Sequence, residues 1–199
     1  MDFSGGVTKD ERLSMTVATP SEQLLREVLD ALSGDAWTAV LDRLAAPAYV
    51  TDAEGNVTYW NRACAEFAGR EPELGRDRWC VTWRLYTTAG DPLPHHACPM
   101  AVAIKQRRAV RGEVAIAERP DGSRRAFTPY PTPLFDEAGQ LTGAVNLLVD
   151  VTAEQGRELR AQADRCRRLA KSVTDGQASR VLDDMAIGYE RSAASLAQG

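Results

Sequence analysis

Apolar residues recur every three or four positions near the start of the chain, and this spacing predicts two amphipathic helices. The first begins after Thr19, because Thr19 can cap it, Pro20 suits its first position and Glu22 can complete a capping box. Gly34 ends this helix, and a second, shorter helix follows Asp35. Their apolar stripes are formed by Leu24, Leu25, Val28, Leu29 and Leu32, and then by Trp37, Val40, Leu41 and Leu44. The pattern leaves open whether these helices cover the following domain or form a dimerisation face.

After these helices the pattern changes to short runs of β-branched and aromatic residues, which are typical of strands. Residues 49–51 and 57–60 are two such runs, and the glycine-containing turn between them predicts a hairpin. Asn61 can cap a short helix over residues 62–68. The segment 71–86 predicts short, irregular helices.

One more helix and three sequential strands follow. The helix is predicted over residues 99–107, and the strands over 114–117, 124–134 and 141–149, with a turn after each of the first two. The middle strand carries three prolines at alternate positions: Pro129, Pro131 and Pro133. Because this spacing places every missing N–H on one side, the strand is predicted to lie at an edge or to be irregular.

Beyond residue 152 the spacing predicts two long helices joined by a short loop. Thr152 and Gln155 offer a capping box for the first helix, and residues 174–177 interrupt the pattern. The predicted seams are Leu159, Ala163, Cys166, Ala170 and Val173, and then Ala178, Leu182, Met185, Tyr189 and Leu196. Seams this rich in alanine favour packing against a second copy of the chain. The alternative is that the hairpin covers the sheet of its own domain.

This order of elements predicts an α+β fold, in which an antiparallel sheet of about five strands carries short helices on one face. N-terminal helices precede the sheet, and a C-terminal helical hairpin or coiled coil follows it. The predicted division is a flexible N-terminus at 1–18, N-terminal helices at 19–46, a central domain at 47–152 and the C-terminal helices at 153–199.

The two ends of the central domain carry a resemblance to a known family. At the front, residues 48–52 and 57–61 surround the hairpin turn, and at the back an apolar strand ends in Asp150-Val151-Thr152, which opens a helix. Together these stretches resemble the PAS (Per-Arnt-Sim) sensory family over residues 36–152. The resemblance implies a domain that detects something and passes the result through the attached helix, with Asp150 and Thr152 as the signal relay.

Composition narrows the classes of function. A chain of 199 residues, 44% of them apolar, can bury one core with appendages, and its net charge of −4 argues against a nucleic-acid partner. No apolar run is long enough to span a membrane, and the N-terminus lacks the apolar stretch of a signal peptide. The cysteines, Cys64, Cys80, Cys98 and Cys166, show no CxxC spacing. We therefore expect reduced thiols and a cytoplasmic location.

The segment from Pro94 to Met100 holds the only two histidines of the chain. In haem-binding PAS sensors the iron ligand is a histidine on or near the helix that begins here, so the resemblance implies a haem site as one alternative. Its candidate ligands are His95, His96, Cys98 and Met100, all of which can ligate iron. The other reading is an ordinary helix start at Cys98 and Pro99, with Met100 as core filler. A zinc site is less favoured, because structural zinc needs four ligands in a closed geometry.

Flavin is the second cofactor that the resemblance raises. The light-sensing LOV subclass of PAS domains carries a Gly-x-Asn-Cys-Arg-Phe-Leu-Gln signature, where this chain has residues 75–83. Cys80 lies nearby, but the Asn, Arg and Gln are missing, and Leu148 stands where those proteins place a flavin-facing Gln. These departures argue against flavin and favour Cys80 as a buried apolar thiol.

The third alternative is an apolar or small polar ligand between sheet and helices, or no ligand at all. Aromatic side chains could line such a cavity, and they could equally fill it. The candidates are Trp60, Trp79, Trp83, Tyr86 and Phe127.

The sequence offers little for catalysis. It has no Gly-rich phosphate loop and no Gly-x-Ser-x-Gly motif, and a dyad of His96 and Cys98 would lack an orienting third group. We therefore predict that the protein is not an enzyme. Since the chain ends before a kinase or cyclase domain could fit, the expected protein is a stand-alone bacterial-type PAS regulator. It would form a homodimer through its helices and act on a separate signalling partner, such as a histidine kinase or another regulator.

Overall fold

The computed structural model describes residues 19–34 and 36–196, so the predicted flexible segment 1–18 and the last three residues lie outside the described part. The helices are α1 (Pro20–Leu32), α2 (Trp37–Leu41), α3 (Arg62–Ala68), α4 (Pro99–Gln106), α5 (Thr152–Ser172) and α6 (Gly176–Leu196). The strands are β1 (Ala48–Asp52), β2 (Val57–Trp60), β3 (Arg84–Tyr86), β4 (Ala115–Glu118), β5 (Arg124–Pro129), β6 (Thr132–Phe135) and β7 (Leu141–Asp150). None of the described helices is long and apolar enough to cross a membrane.

All strands pair antiparallel in one sheet with the order β2-β1-β7-β5-β4-β3, and β6 also pairs with β7. The predicted α+β class and antiparallel sheet are therefore confirmed. The sheet has seven strands where about five were predicted, because β3 was not expected and because the predicted strand 124–134 forms two strands, β5 and β6. The segment 71–86 forms turns and then β3, where short helices were predicted. A strand of three residues is too short to show a period in the sequence.

The proline-rich strand is split into β5 and β6. The break at Tyr130 and Pro131 confirms the predicted irregularity, because proline supplies no N–H to a ladder. The prediction of an edge position is wrong for β5, which lies between β7 and β4. Pro129 is accommodated there as a buried partner of Leu148 on β7.

The inner face of the sheet packs against α3, α4 and the irregular segment between α3 and β3. Asn61 caps α3 as predicted, by accepting a hydrogen bond from the Cys64 N–H at 3.0 Å. The buried side chains of this core include Tyr49, Val57, Cys64, Phe67, Cys80, Val81, Leu85, Cys98, Met100, Ile104, Phe127 and Leu148.

The outer face is covered by elements from both ends of the chain. On one part of it α1 and α2 pack, with Leu25, Val28 and Leu41 against Val50 and Leu147. The capping box of Thr19 and Glu22 that begins α1 is confirmed. Val40, by contrast, is 40% exposed, so its predicted burial is wrong. The N-terminal helices thus cover the sheet, which is one of the two roles that the sequence left open.

The other part of the outer face receives the base of the hairpin formed by α5 and α6. Leu159, Ala193 and Leu196 pack there against Ile116 and Ala126 of the sheet. The hairpin therefore covers the sheet of its own domain. Where the hairpin extends beyond the sheet, its two helices pack on each other through small residues, Ala163, Cys166 and Ala186.

Each predicted seam is wrong in one position. In the first, Val173 lies just past the end of α5 and is 36% exposed. In the second, Met185 is 44% exposed, and Ala186 occupies the centre of the helix–helix contact instead. The small Ala186 side chain allows close approach of the helices, and its neighbour is then turned about 100° away on the helix surface. A bidentate ion pair also joins the two helices, between Arg167 of α5 and Glu190 of α6.

Candidate functional site

A buried polar network crosses the inner core. Tyr49 on β1 is 1% exposed, and its hydroxyl donates a hydrogen bond to the Trp79 carbonyl at 3.0 Å. The same hydroxyl accepts a hydrogen bond from the side-chain amide of Asn146 at 3.0 Å. The Asn146 carbonyl oxygen in turn accepts from the backbone N–H of Tyr130 at 2.9 Å. Burial holds the pKa of Tyr49 well above its ordinary value, so the phenol stays neutral and remains a donor.

Sequence reasoning missed this network. Its one visible signal was Asn146, a polar amide in the middle of an otherwise apolar strand, where a buried polar group requires partners. Asn146 and Tyr49 are direct partners across the β1–β7 ladder. The network therefore joins the two strands at the centre of the sheet to the segment that contains Trp79.

Trp79 holds an unusual backbone conformation. Its φ is +69°, in the left-handed region that a bulky residue rarely adopts, at a cost of about 1–3 kcal/mol. Its N–H donates to the Gly55 carbonyl at 2.7 Å, and its indole lies directly over Gly55. Only glycine fits below the ring, since a Cβ at residue 55 would meet the indole at 2.2 Å. This arrangement turns the Trp79 carbonyl into the core, toward Tyr49 and Cys98.

One buried thiol contacts the same carbonyl, and two more lie in the same core. Cys98 donates to it at 3.8 Å, and the Cys80 thiol lies 3.1 Å from the Thr82 hydroxyl. The interaction with Cys98, the nearby imidazole of His95 and the bond with Thr82 lower the pKa of Cys80 against the opposing effect of burial. The pKa of Cys98 is raised, first by its interaction with Cys80 and then by burial. Burial also raises the pKa of Cys64, the third thiol of this core.

The four candidate haem ligands differ in their burial. Cys98 and Met100 are buried in the inner core, His95 is half-buried in a short 3₁₀ turn (His95–Ala97), and His96 is exposed. Within residues 19–34 and 36–196, no group of three or more His, Cys, Asp or Glu side chains is arranged to hold a metal ion. A haem needs only one or two axial ligands, so the haem site stays a prediction.

The positions weighed for flavin also lie in the packed core. Leu148 on β7 and Cys80 are both buried members of the inner cluster, with 1% and 4% exposure. Their surroundings are apolar side chains and the polar network of Tyr49. This agrees with the interpretation of Cys80 as a buried thiol.

The five aromatic residues predicted to line a cavity are separated by the fold. Phe127 lies in the inner core, and Trp60 and Trp79 pack at its margin. Tyr86 faces the hairpin on the outer side of the sheet, and Trp83 is 41% exposed with the Arg84 guanidinium 4.1 Å from its ring centre. The structure therefore brings together Phe127, Trp60 and Trp79, and does not bring Trp83 and Tyr86 to them.

The described part of the chain has several surface grooves. One of about 400 Å³ lies beside the start of α4 and is lined by Thr87, Ala97, Pro99, Arg108 and Val114, among others. A second, of about 510 Å³, lies at the base of the hairpin and includes Asp150 and Thr152.

The junction between β7 and α5 is fixed by side chains of the predicted relay. The Thr152 hydroxyl accepts a hydrogen bond from the Ala126 N–H at 3.0 Å and donates one to the Ala126 carbonyl at 3.3 Å. Asp150 accepts from the Thr152 N–H at 2.9 Å and forms an ion pair with Arg125 at 3.2 Å. The capping box predicted for Thr152 and Gln155 is wrong, because the hydroxyl is bonded to β5 instead of to the helix. The first turn of α5 is thereby attached to the sheet.

Comparison with known proteins gives a family match. A family model described as the PAS fold matches residues 41–156. A search of the curated proteins found no significant match.

Several solved structures are similar at low identity. The LOV protein of Rhodobacter sphaeroides is 16% identical, with 87% of this chain and 96% of that chain covered and a TM-score of 0.47. The PAS domain of the fruit-fly ELK potassium channel is 13% identical, with 62% and 96% covered and a TM-score of 0.46. The LOV domain of the Erythrobacter litoralis EL346 blue-light activated histidine kinase is 23% identical, with 55% and 98% covered and a TM-score of 0.43.

Proposed function

Because this chain belongs to the PAS fold family, a family of sensory domains, we propose that it detects a small ligand or cofactor state in its inner core and relays the result through α5 and α6 to a separate signalling partner. The observation that carries this proposal is the pair of hydrogen bonds between Thr152 and the backbone of Ala126. They attach the beginning of α5 to the sheet at the point where a change in the strands reaches the helices.

The core and the junction lie on the same strand. Asn146, which belongs to the Tyr49 network, precedes Asp150 by four positions on β7. A ligand that displaces the Trp79 carbonyl from Tyr49 would leave buried polar groups without partners, at a cost of about 1–3 kcal/mol. This cost is enough to shift an equilibrium between a hairpin that packs on the sheet and a hairpin that is released from it, because about 1.4 kcal/mol changes a population ratio tenfold. Trp60, Trp79 and Phe127 are the proposed ligand contacts.

The protein is proposed to act without catalysis of its own. In this proposal its partner is a histidine kinase or another cytoplasmic regulator, and Asp150 and Thr152 form the relay. The long helices supply the surface that changes. Docked on the sheet, the base of the hairpin is covered by Ile116 and Ala126, and release would expose Leu159, Ala193 and Leu196.

The proposed active form is a homodimer joined by the outer half of the hairpin. Apolar side chains remain exposed there, at Leu169 (48%), Val173 (36%), Val181 (53%) and Met185 (44%). Met185 lies one turn before Tyr189 on α6, and Tyr189 packs against the outer-face cluster. The exposed stripe therefore continues the face that already binds the sheet, and a two-fold axis would place the stripe against its own copy.

Hydrogen exchange tests the relay. Thr152→Val removes the hydroxyl while keeping the shape, so we expect faster exchange in the first turns of α5, around Leu159. Thr142→Val is the matched control, because the Thr142 hydroxyl also donates to a backbone carbonyl, that of Leu134 at 3.2 Å, but at the far end of β7. Equal protection of α5 in both variants would show that the junction does not hold the hairpin on the sheet.

A further inference from the structure

The surface groove beside α4 combines apolar walls with a charged end. It holds about 400 Å³ and lies between α4, the segment that follows α4 and the loop after β3. Apolar side chains from all three segments line it, and each of them is only half-buried: Leu93, Pro99, Val102 and Val114. Ligand sites of proteins fall in this size range and are lined mainly by apolar groups. The groove shares no lining residue with the buried network of Tyr49.

The end of α4 places an arginine in this groove. The Arg107 N–H donates to the Ile104 carbonyl at 3.2 Å, and the Arg108 N–H donates to the Ala103 carbonyl at 3.2 Å. These two bonds form a Schellman motif, in which glycine usually takes the left-handed position and an apolar residue usually follows it. Here Arg107 takes the left-handed position, with a φ of +53°, and Arg108 follows it. The helix therefore ends with a departure from the usual residues, which sets a charged side chain at the groove.

The charges of the groove favour an anion. Among the described residues, the Arg108 guanidinium takes part in no ion pair and no side-chain hydrogen bond. Arg111 adds a second positive charge, and the carbonyls of Val110 and Pro131 hold its guanidinium in place at 2.8 and 2.9 Å. Against these two arginines, the described lining residues include one carboxylate, that of Glu113. A free guanidinium is the group that binds a carboxylate through two parallel hydrogen bonds.

We infer that this groove binds a small organic carboxylate with an apolar body. The carboxylate pairs with Arg108, and the apolar body covers the half-buried side chains of Val102 and Val114. Thr87 supplies a further donor, because its hydroxyl accepts from the Asp91 N–H at 3.2 Å and keeps its own proton free. An inorganic anion would leave the apolar walls in water, and an uncharged apolar molecule would leave the guanidinium without a partner.

Glu113 gives the inference a second, opposite sign. Its carboxylate lines the same groove, so it repels a bound carboxylate and weakens the binding. Removal of this charge should therefore strengthen the binding, whereas removal of the Arg108 charge should weaken it. The site lies outside the inner core, and the inference holds whether or not the core also binds a ligand or relays a signal.

Titration of the full chain with hexanoate, followed by the amide signals in nuclear magnetic resonance spectra, tests the site. We expect saturable shifts at Val102 and at residues 108–114. Acetate lacks the apolar body and 1-hexanol lacks the charge, so each should bind at least about tenfold more weakly than hexanoate. Hexylamine carries the opposite charge and should leave these signals unchanged.

Variants of neighbouring arginines supply the matched control. Arg108→Gln should raise the Kd for hexanoate about tenfold, which is the effect of one lost charge-assisted hydrogen bond. Arg107→Gln removes the same charge from a residue that does not line the groove, so it should change the Kd by less than about twofold. Glu113→Gln should lower the Kd.

Three results would overturn the inference: shifts centred on Tyr49 and Asn146 instead of the groove, equal affinity for hexanoate and hexylamine, or the same Kd in Arg107→Gln and Arg108→Gln. None of these results bears on the contact between Thr152 and Ala126, so the failure of this site would leave the proposed relay standing.

Discussion

The hydroxyl of Tyr49 accepts a hydrogen bond from the side-chain amide of Asn146, its direct partner across the β1–β7 ladder, at 3.0 Å. The same hydroxyl donates to the carbonyl of Trp79. One buried phenol thus joins the two central strands to the strained segment of the inner core. Buried polar groups with all their partners in place fix a single arrangement, and the loss of one partner is costly.

Tyr49→Phe is therefore expected to lower the free energy of unfolding by about 1–3 kcal/mol, because a carbonyl and an amide lose their buried partner. Urea denaturation measures this difference. Tyr189→Phe is the matched control, since the described residues include no hydrogen-bond partner for the Tyr189 hydroxyl, and it should stay within about 0.5 kcal/mol of the wild type. Equal effects in the two variants would contradict the role given to Tyr49.

The contact between Gly55 and Trp79 gives a second prediction. Gly55→Ala introduces a Cβ that would lie 2.2 Å from the indole, at a residue whose φ is +88°. Gly90→Ala has the same backbone strain, with a φ of +93°, but no neighbour within 4 Å. Thermal unfolding should show that Gly55→Ala costs about 1–3 kcal/mol more than Gly90→Ala, since overpacking adds to the strain. Similar melting temperatures for Gly55→Ala and Gly90→Ala would mean that the indole can move aside without a cost in stability.

The capping box of α1 predicts a dependence on pH. Hydrogen bonds from the backbone and side chain of Thr19 lower the pKa of Glu22 from its ordinary value of 4.5. A carboxylate with a lowered pKa stabilises the folded state above that ordinary value, and the contribution is lost as the pH falls through the lowered pKa. Glu22→Gln keeps a capping side chain without the charge. The melting temperature of Glu22→Gln should therefore fall less than that of the wild type as the pH is lowered below 4.5. Parallel curves for the two proteins would exclude this linkage.

The apolar stripe on the hairpin predicts the state of association. Val181→Lys with Met185→Lys should convert a dimer to a monomer, because a dimer would bury both charges without partners. Ile187→Lys is the control, as Ile187 is 48% exposed but lies on the opposite side of α6 from Met185 and Val181. Sedimentation over a concentration series distinguishes these cases. A wild-type protein that remains monomeric at every concentration would contradict the proposed homodimer.

Much of this fold is visible in the sequence because the signals are local. Thr19, Pro20 and Glu22 mark the start of α1, and Asp150-Val151-Thr152 marks the end of the sheet. Contacts between distant segments are not visible in this way. Nothing near Thr152 shows that its hydroxyl bonds to Ala126, and a local capping box with Gln155 was the natural expectation.

The candidate site was harder to predict than the fold, because it is formed by contacts between residues far apart in the sequence. The sequence drew attention to His95 and His96 because histidines can bind metals, but their side chains lie toward the surface while Cys98 faces the core. The contact between the Cys98 thiol and the Trp79 carbonyl depends on the left-handed backbone of Trp79, which no pattern of residue types indicates. Met185 shows the same limit on α6, where the size of Ala186 decides which side of the helix is buried.

The central claim is that the core network of Tyr49 and the junction at Thr152 are coupled through β7. A double-mutant cycle on the free energy of unfolding, with Tyr49→Phe, Thr152→Val and the two changes combined, measures that coupling most directly. Distant and independent sites add within about 0.3–0.5 kcal/mol, and coupled sites depart from additivity by about 0.5–3 kcal/mol. We predict a combined loss that falls short of the sum by about 1 kcal/mol, because either change loosens the same strand. Strict additivity would show that the core and the helices do not communicate along β7.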